Sequence, residues 1–125
     1  MTTWAPCAQF TQLQRDLVKT MLAAGVDHVV GADFHWAGAL SVTLTGSTYR
    51  YVGSSQGNFW FDQDWSRQTE EGIITSLTFV GTRLAQVRLT PIVVLDHGQP
   101  NLIDPATDGQ FVLRQVLAGT SLPAR

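Results

Sequence analysis

The pattern that most constrains the fold is a pair of β-strand signatures joined by a two-residue turn. Residues 72–80 are mainly apolar and β-branched, Gly81-Thr82 marks a turn, and residues 84–90 alternate apolar with polar side chains. The apolar members of that alternation are Ala85, Val87 and Leu89. Because successive side chains of a strand point to opposite faces, the pattern predicts a hairpin with one buried face and one wet face.

Three further patterns extend this arrangement. Residues 40–45 and 48–52 are β-branched and aromatic runs on either side of Gly46-Ser47, which predicts a second hairpin. Apolar residues recur at helical spacing over 12–24, and Gly25 suits a left-handed helix end. Thr11 and Gln14 have the spacing of a capping box at the start of this helix.

Shorter signals surround these elements. Residues 26–31 read as a short buried strand after the first helix, which places residues 33–36 at a strand end, a usual location for ligand chemistry. Pro91 permits an edge or a bend before the apolar run of residues 92–95. Asp108 is the predicted cap of a final helix.

Length and composition bound the architecture. A chain of 125 residues with 44% hydrophobic and 14% charged residues has enough apolar material for one core, so we predict a single domain over residues 1–125. The predicted fold class is α/β or α+β, a layered mixed or antiparallel sheet with two helices.

Charge and cysteine content exclude several classes of protein. A net charge of −2 and eight scattered Lys and Arg residues give no electrostatic footprint for nucleic acid. No apolar run approaches the length of a transmembrane helix, and the first residues lack the pattern of a signal peptide. Cys7 is the single cysteine, so no internal disulfide and no cysteine-based zinc spacing is expected.

One long segment carries a family resemblance. Residues 57–72, GNFWFDQDWSRQTEEG, resemble the "GNFxFDQxxSxxTxEG" signature of the CapA family of capsule and poly-γ-glutamate synthesis proteins. His35-Trp36 stands where that family has "GxHxHW". Further similar segments are Leu22–Gly31, Leu84–Pro91 and Gln99-Pro100. The resemblance spans roughly residues 10–118, and it leads us to expect the loop of residues 57–63 to lie beside residues 33–36.

The resemblance implies a fold and a possible metal. CapA proteins resemble calcineurin-like metallophosphoesterases, so this chain is expected to match the C-terminal part of an α/β/β/α sandwich. Of that superfamily's metal-binding motifs, only the last one, GxHxH, has a counterpart in this chain. Asp33 stands at the position of its first histidine, and His35 matches its second. We therefore expect Asp33 and His35 as candidate ligands of a divalent metal (Mn, Fe or Zn), no catalytic residue, and too few ligands for a self-sufficient two-metal site.

The signature loop supplies the candidate binding residues. Asn58, Asp62 and Gln63 form either a polar cluster that supports the site or a local turn whose Phe59 and Phe61 fill the core. Three tryptophans are candidates to stack on a sugar or polymer, although buried tryptophans with a hydrogen-bonded N–H are equally ordinary. They are Trp36, Trp60 and Trp65.

Other polar residues are expected to have ordinary roles. His28 and His97 are predicted to be structural or surface residues. Glu70 and Glu71 are adjacent in an extended stretch, so they point to opposite faces and do not form an acid–base pair. We expect both carboxylates to face water.

Three functions are compatible with these observations. The first is a CapA-like domain, reduced or lacking an N-terminal segment, in extracellular polymer biosynthesis, with a cell-surface or extracytoplasmic location implied by the family. The second is a metal-dependent phosphoesterase completed by another chain, and the third is a small module that binds an anionic polymer or carbohydrate. An uncovered sheet face in half a sandwich also predicts homo-oligomers.

Overall fold

A computed structural model describes residues 9–32 and 34–124, so Cys7 and Asp33 lie outside the described residues. The elements are α1 (Gln12–Ala23), β1 (Val29–Val30), β2 (Leu40–Thr45), β3 (Thr48–Gly53), α2 (Arg67–Glu70), β4 (Glu71–Val80), β5 (Arg83–Leu95), β6 (Gln99–Leu102) and α3 (Gln110–Ala118). The α+β class is confirmed. The described residues contain three helices instead of the predicted two, because the short helix α2 inserts before β4.

Helix α1 begins and ends as predicted. Thr11 Oγ1 accepts a hydrogen bond from the Gln14 N–H at 3.1 Å, and Gln14 Oε1 accepts one from the Thr11 N–H at 2.9 Å. Gly25 has a φ of 98°, a left-handed conformation that glycine adopts without steric cost. No described helix has the length and apolar character needed to cross a bilayer.

The first sheet has the strand order β1-β3-β2. β2 and β3 form the predicted antiparallel hairpin around Gly46, and β1 pairs parallel with β3. The prediction of a buried strand over residues 26–31 is wrong in extent and burial. Only Val29 and Val30 pair, and Val30 is 59% exposed because β1 lies at the edge of the sheet.

The second sheet has the order β4-β5-β6, and its first two strands form the predicted long hairpin. The prediction of which residues of the hairpin face the core is wrong near its turn. A bulge places Thr78 opposite Gln86 and Phe79 opposite Leu84, so Ala85 is the extra residue. As a result Leu84 turns inward and is buried, while Ala85 is exposed.

The two sheets face each other across one buried cluster. Tyr51 of β3 is fully buried, and its hydroxyl lies 3.5 Å from the Thr75 Oγ1 of β4. Helix α3 adds Val112 and Val116, and Gln115 donates to the Ala37 carbonyl at 2.7 Å. The cluster thus joins both sheets to α3.

The C-terminal part differs from expectation in two places. Asp108 does not cap α3, since Gly109 is the N-cap residue and no side chain accepts a hydrogen bond there. β5 continues through Pro91 to Leu95 and turns into β6. Asp96 and His97 occupy the turn with φ values of 47° and 59°.

Candidate functional site

His35 is oriented by a side chain from the signature loop. Its Nδ1 lies 2.8 Å from the Oδ1 of Asn58, although 23 residues separate the two in the chain. The imidazole also rests against the Phe61 ring, with centroids 5.0 Å apart and planes inclined at 37°. The structure therefore brings the signature loop to the loop that follows β1, as the resemblance implies.

The bonds of Asn58 determine which nitrogen of His35 carries the proton. Asn58 is 7% exposed, and its Nδ2 donates to the Gln63 Oε1 at 3.1 Å and to the Thr69 carbonyl at 2.9 Å. Because the amide nitrogen is used in this way, the oxygen faces His35, and Nδ1 must be the donor. In the neutral imidazole Nε2 is then free to accept a proton or a hydrogen bond, or to bind a metal.

Two signature glycines allow this loop to pack closely. Gly57 has a φ of 75°, and a Cβ there would lie 2.9 Å from the Ala37 nitrogen. A Cβ at Gly72 would lie 2.5 Å from the Asn58 carbonyl oxygen. Any side chain at either position would push the loop away and displace Asn58. Glycine at these two positions therefore allows the backbone segments to approach each other closely.

Helix α2 anchors the other end of the loop. The Ser66 Oγ accepts a hydrogen bond from the Thr69 N–H at 3.3 Å, which caps the helix, and the Thr69 carbonyl in turn receives the Asn58 amide. Ser66 and Thr69 are both signature residues. The signature thus corresponds to one hydrogen-bonded unit that ends at His35.

An ion pair with one buried member follows directly in the chain, and its Arg67 side chain is 52% exposed. The Arg67 Nε donates to the Glu71 Oε1 at 2.6 Å, and the Glu71 side chain is only 6% exposed. Burial raises the pKa of Glu71, and the Arg67 guanidinium offsets part of that rise. The second oxygen, Oε2, has no hydrogen-bond partner within residues 9–32 and 34–124. The expectation that Glu71 faces water is wrong, because the strand turns its side chain inward.

Arg67 has further contacts. Its guanidinium lies 4.3 Å from the centroid of the Phe111 ring and donates from Nη2 to the Asp108 carbonyl at 3.1 Å. The helix α2, β4 and the start of α3 are joined through this one side chain. Arg67 was not among the predicted site residues, because its spacing to the adjacent Glu70 and Glu71 does not indicate which of the two it pairs with.

The remaining signature residues face outward. Phe59 is 56% exposed, so the alternative in which Phe59 and Phe61 fill the core is wrong. The Asp62 carboxylate makes no hydrogen bond or ion pair with the residues that the structure describes, and it lies between Phe61 and Gln63, both of which belong to the His35 network. Asp62 is thus a signature residue that the fold itself does not use.

The tryptophans differ from one another. Trp60 and Trp65 are 79% and 70% exposed, whereas Trp36 is half-buried. One edge of the Trp60 indole lies against Gly98, where an added Cβ would be 2.6 Å from Nε1. The structure therefore places two of the three predicted tryptophans on an open loop.

The other two histidines do not join His35. His28 Nδ1 accepts a hydrogen bond from the Tyr51 N–H at 3.1 Å, and its ring meets Phe79 edge-on. His97 Nδ1 lies 3.2 Å from Asp64 beside a small polar cavity of about 170 Å³. Both residues have the ordinary contacts that the sequence analysis expected.

The donor set does not fit a two-metal centre. In the described part of the chain, no three His, Cys, Asp or Glu side chains lie close enough to hold a metal ion. Because His35 Nδ1 is bonded to Asn58, this histidine has one free ligand atom, Nε2. Asp33 lies outside the described residues. A dinuclear site requires several more converging ligands, so we derive no step through metal ions.

The fold and site define an α+β protein in which a signature loop holds one surface histidine. No protein-family profile matches the chain. Among curated proteins, the chain is 32% identical over 109 residues to the capsule biosynthesis protein CapA of Bacillus anthracis. That match covers 86% of this chain and 25% of the relative, so the chain spans about a quarter of the relative's length. The chain therefore contains a CapA-related region.

Proposed function

We propose that this chain acts in the biosynthesis of an extracellular polymer such as the poly-γ-glutamate capsule, as a CapA-like domain. The observation that carries the proposal is the network from Ser66 through Thr69 and Asn58 to His35, built from signature residues. Such a network fixes the ring orientation and the tautomer of the neutral imidazole, and it leaves Nε2 unbonded, which a purely structural turn does not require.

We propose that the site binds and orients another molecule and carries out no chemical step. His35 Nε2 is available as a hydrogen-bond acceptor, and the uncommitted Asp62 carboxylate stands on the same loop as the residues that hold His35. We propose that these two groups contact the protein that handles the polymer, because the Asp62 carboxylate would repel an anionic precursor. The described donor set gives no support to independent phosphoesterase activity.

A chimera tests this proposal. The 109-residue region of the Bacillus anthracis CapA that matches this chain would be replaced by the chain itself, and capsule polymer would be measured. We expect the chimera to make polymer, and the chimera with His35→Ala to make little. His97→Ala is the matched control, because His97 is an exposed histidine outside the network. Polymer production that survives His35→Ala would contradict the proposal.

A second candidate function rests on the exposed tryptophans. Trp60 and Trp65 present large apolar surfaces on one loop, and aromatic rings stack on the apolar faces of sugars. Asp62 and Asp64 lie between them, and residues 51–66 contain no Lys or Arg. Because carboxylates repel a polyanion, this loop is suited to a neutral polysaccharide and opposes direct contact with poly-γ-glutamate.

Affinity electrophoresis separates these polymers. We expect neutral polysaccharide to retard the protein, poly-γ-glutamate to have no effect, and the W60A/W65A variant to weaken retardation about tenfold through loss of two stacking contacts. Tyr49→Ala is the control, since Tyr49 is an exposed aromatic residue of β3 outside this loop. Equal retardation of W60A/W65A and the parent protein would exclude the loop as a polymer-binding surface.

A further inference from the structure

Helix α1 does not pack closely on the sheet beside it. None of the residues Gln12–Ala23 is buried, although apolar residues recur along the helix at helical spacing. A cavity of about 400 Å³ lies between the helix and the first sheet. Its wall includes Val18 and Leu22 of α1 together with Leu40, Ser41, Thr43 and Val52 of β2 and β3. Apolar residues of α1 therefore face an open space where a packed helix would meet side chains.

This space has the size and lining of a small-molecule site. Ligand cavities in proteins measure roughly 300–1,000 Å³, and their walls are mainly apolar with a few polar groups that orient the ligand. Here the hydroxyl-bearing residues Ser41, Thr43 and Ser121 stand among apolar lining residues. The cavity is thus suited to a ligand that is largely apolar and carries a polar group.

Unpaired positive charge collects at this cavity. Arg15 and Lys19 of α1 belong to its lining, and Arg50 of β3 lies directly opposite Thr43 on the sheet. None of these three cations forms an ion pair within residues 9–32 and 34–124. The described lining residues include no aspartate or glutamate. Because the whole chain carries a net charge of −2, this local excess of cations favours an anionic ligand.

We propose that the cavity binds a single-chain amphipathic anion, a molecule with an unbranched apolar chain and a carboxylate at one end. The chain would occupy the space beside Val18, Leu22 and Val52. The carboxylate would lie beside Lys19, whose ammonium group has no hydrogen bond or ion pair in the described part of the chain. Arg15 is less available, because its Nη1 donates to the Phe10 carbonyl.

A bound chain would also support helix α1. A helix of this length is marginal by itself in water, and most helical stability in proteins comes from burial of an apolar face. The ligand would supply the buried contacts that α1 lacks. This proposal does not depend on the function proposed above, since His35 and Asn58 are not among the residues that line the cavity.

A ligand series tests the proposal by isothermal titration calorimetry of the full chain, with every ligand below its micelle concentration. Hexanoate, octanoate and decanoate vary the chain, and decanol and decyltrimethylammonium vary the charge. We expect saturable binding of decanoate, with affinity rising about fourfold for each methylene added along the series. Decanol should bind more weakly and the cation most weakly. No binding of decanoate, or an affinity independent of chain length, would overturn the proposal.

A matched pair of variants locates the site. Thr43→Phe places a large side chain in the cavity, whereas Thr45→Phe makes the same change two residues along β2, outside the lining. We expect the decanoate dissociation constant to rise about tenfold or more in T43F, through lost methylene contacts, and to stay within about twofold of the parent in T45F. Far-UV circular dichroism confirms that both variants are folded. Equal dissociation constants for T43F and T45F would overturn the proposal.

A second pair tests the charge. Lys19→Met removes the ammonium group and keeps an unbranched side chain, so it should weaken decanoate binding about threefold and leave decanol binding unchanged. Arg83→Met is the control, because Arg83 is an exposed cation of the second sheet. Equal losses for decanoate and decanol in K19M would overturn the anion site. Co-sedimentation with phosphatidylglycerol vesicles, without saturable binding of free decanoate, would replace the single ligand with a membrane surface and so also overturn it.

Discussion

Replacing Arg67 with alanine is expected to lower the free energy of unfolding by about 2 kcal/mol at neutral pH, because a buried carboxylate loses its counter-charge. The loss is smaller than for a fully buried pair, since the Arg67 side chain is 52% exposed and water screens part of the interaction. That carboxylate belongs to Glu71, whose side chain is 6% exposed. The contact with the Phe111 ring is lost as well. Urea unfolding followed by tryptophan fluorescence measures the change.

Two variants show whether the cause is the buried charge. R67A/E71Q is expected to recover much of the lost stability, since the neutral amide needs no counter-charge. Arg83→Ala is expected to stay within about 0.5 kcal/mol of the parent, because Arg83 is an exposed residue. A loss of stability in R67A that persists in R67A/E71Q would assign the effect to the Phe111 and Asp108 contacts instead.

The same pair predicts a pH dependence. Burial raises the pKa of Glu71 above its ordinary value of 4.5. The folded state then binds the proton more tightly than the unfolded state, so the stability contributed by Glu71 is complete below 4.5 and is lost as the pH rises through the folded pKa. Relative to E71Q, the parent protein should become less stable as the pH rises through this range, and the penalty of R67A should shrink on acidification.

Replacing Asn58 with leucine is expected to cost about 2–3 kcal/mol, since buried polar groups lose their partners. The groups affected are the Thr69 carbonyl, the Gln63 side chain and His35. Without the Oδ1 acceptor, His35 should lose its preference for the proton on Nδ1. Nitrogen chemical shifts of the His35 ring report that change, and urea unfolding reports the stability.

A conservative variant separates the two roles of Asn58. Asn58→Asp keeps an oxygen facing His35 but cannot donate to Thr69 and Gln63, so it should lose stability while His35 retains the proton on Nδ1. Asn101→Leu is the control, because the Asn101 side chain makes one local hydrogen bond to the Gln99 carbonyl. An unchanged His35 tautomer in Asn58→Leu would show that Asn58 does not position the imidazole.

Sequence reasoning reached the site only in part. The resemblance indicated that the signature loop approaches His35, and the structure shows this contact through Asn58. It did not indicate that Arg67 and Glu71 pair under the loop, because two adjacent glutamates give no sign of which one the chain buries. Nor did it indicate that Phe59 is exposed, since an aromatic residue directly after the turn signal Gly57-Asn58 is compatible with either a buried or an exposed side chain.

Helix α1 and the two hairpins follow from sequence signals that act within a few residues. The capping box of Thr11 and the positive φ of Gly25, Gly46 and Gly81 depend on local hydrogen bonds and on the missing Cβ of glycine. Three features depend on tertiary contacts, namely the bulge at Ala85, the burial of Glu71 and the hydrogen bond between His35 and Asn58. In each case, contacts with other segments of the chain determine which side chain is buried or bonded. Those contacting residues are not part of the local sequence pattern, so the pattern alone does not reveal the outcome.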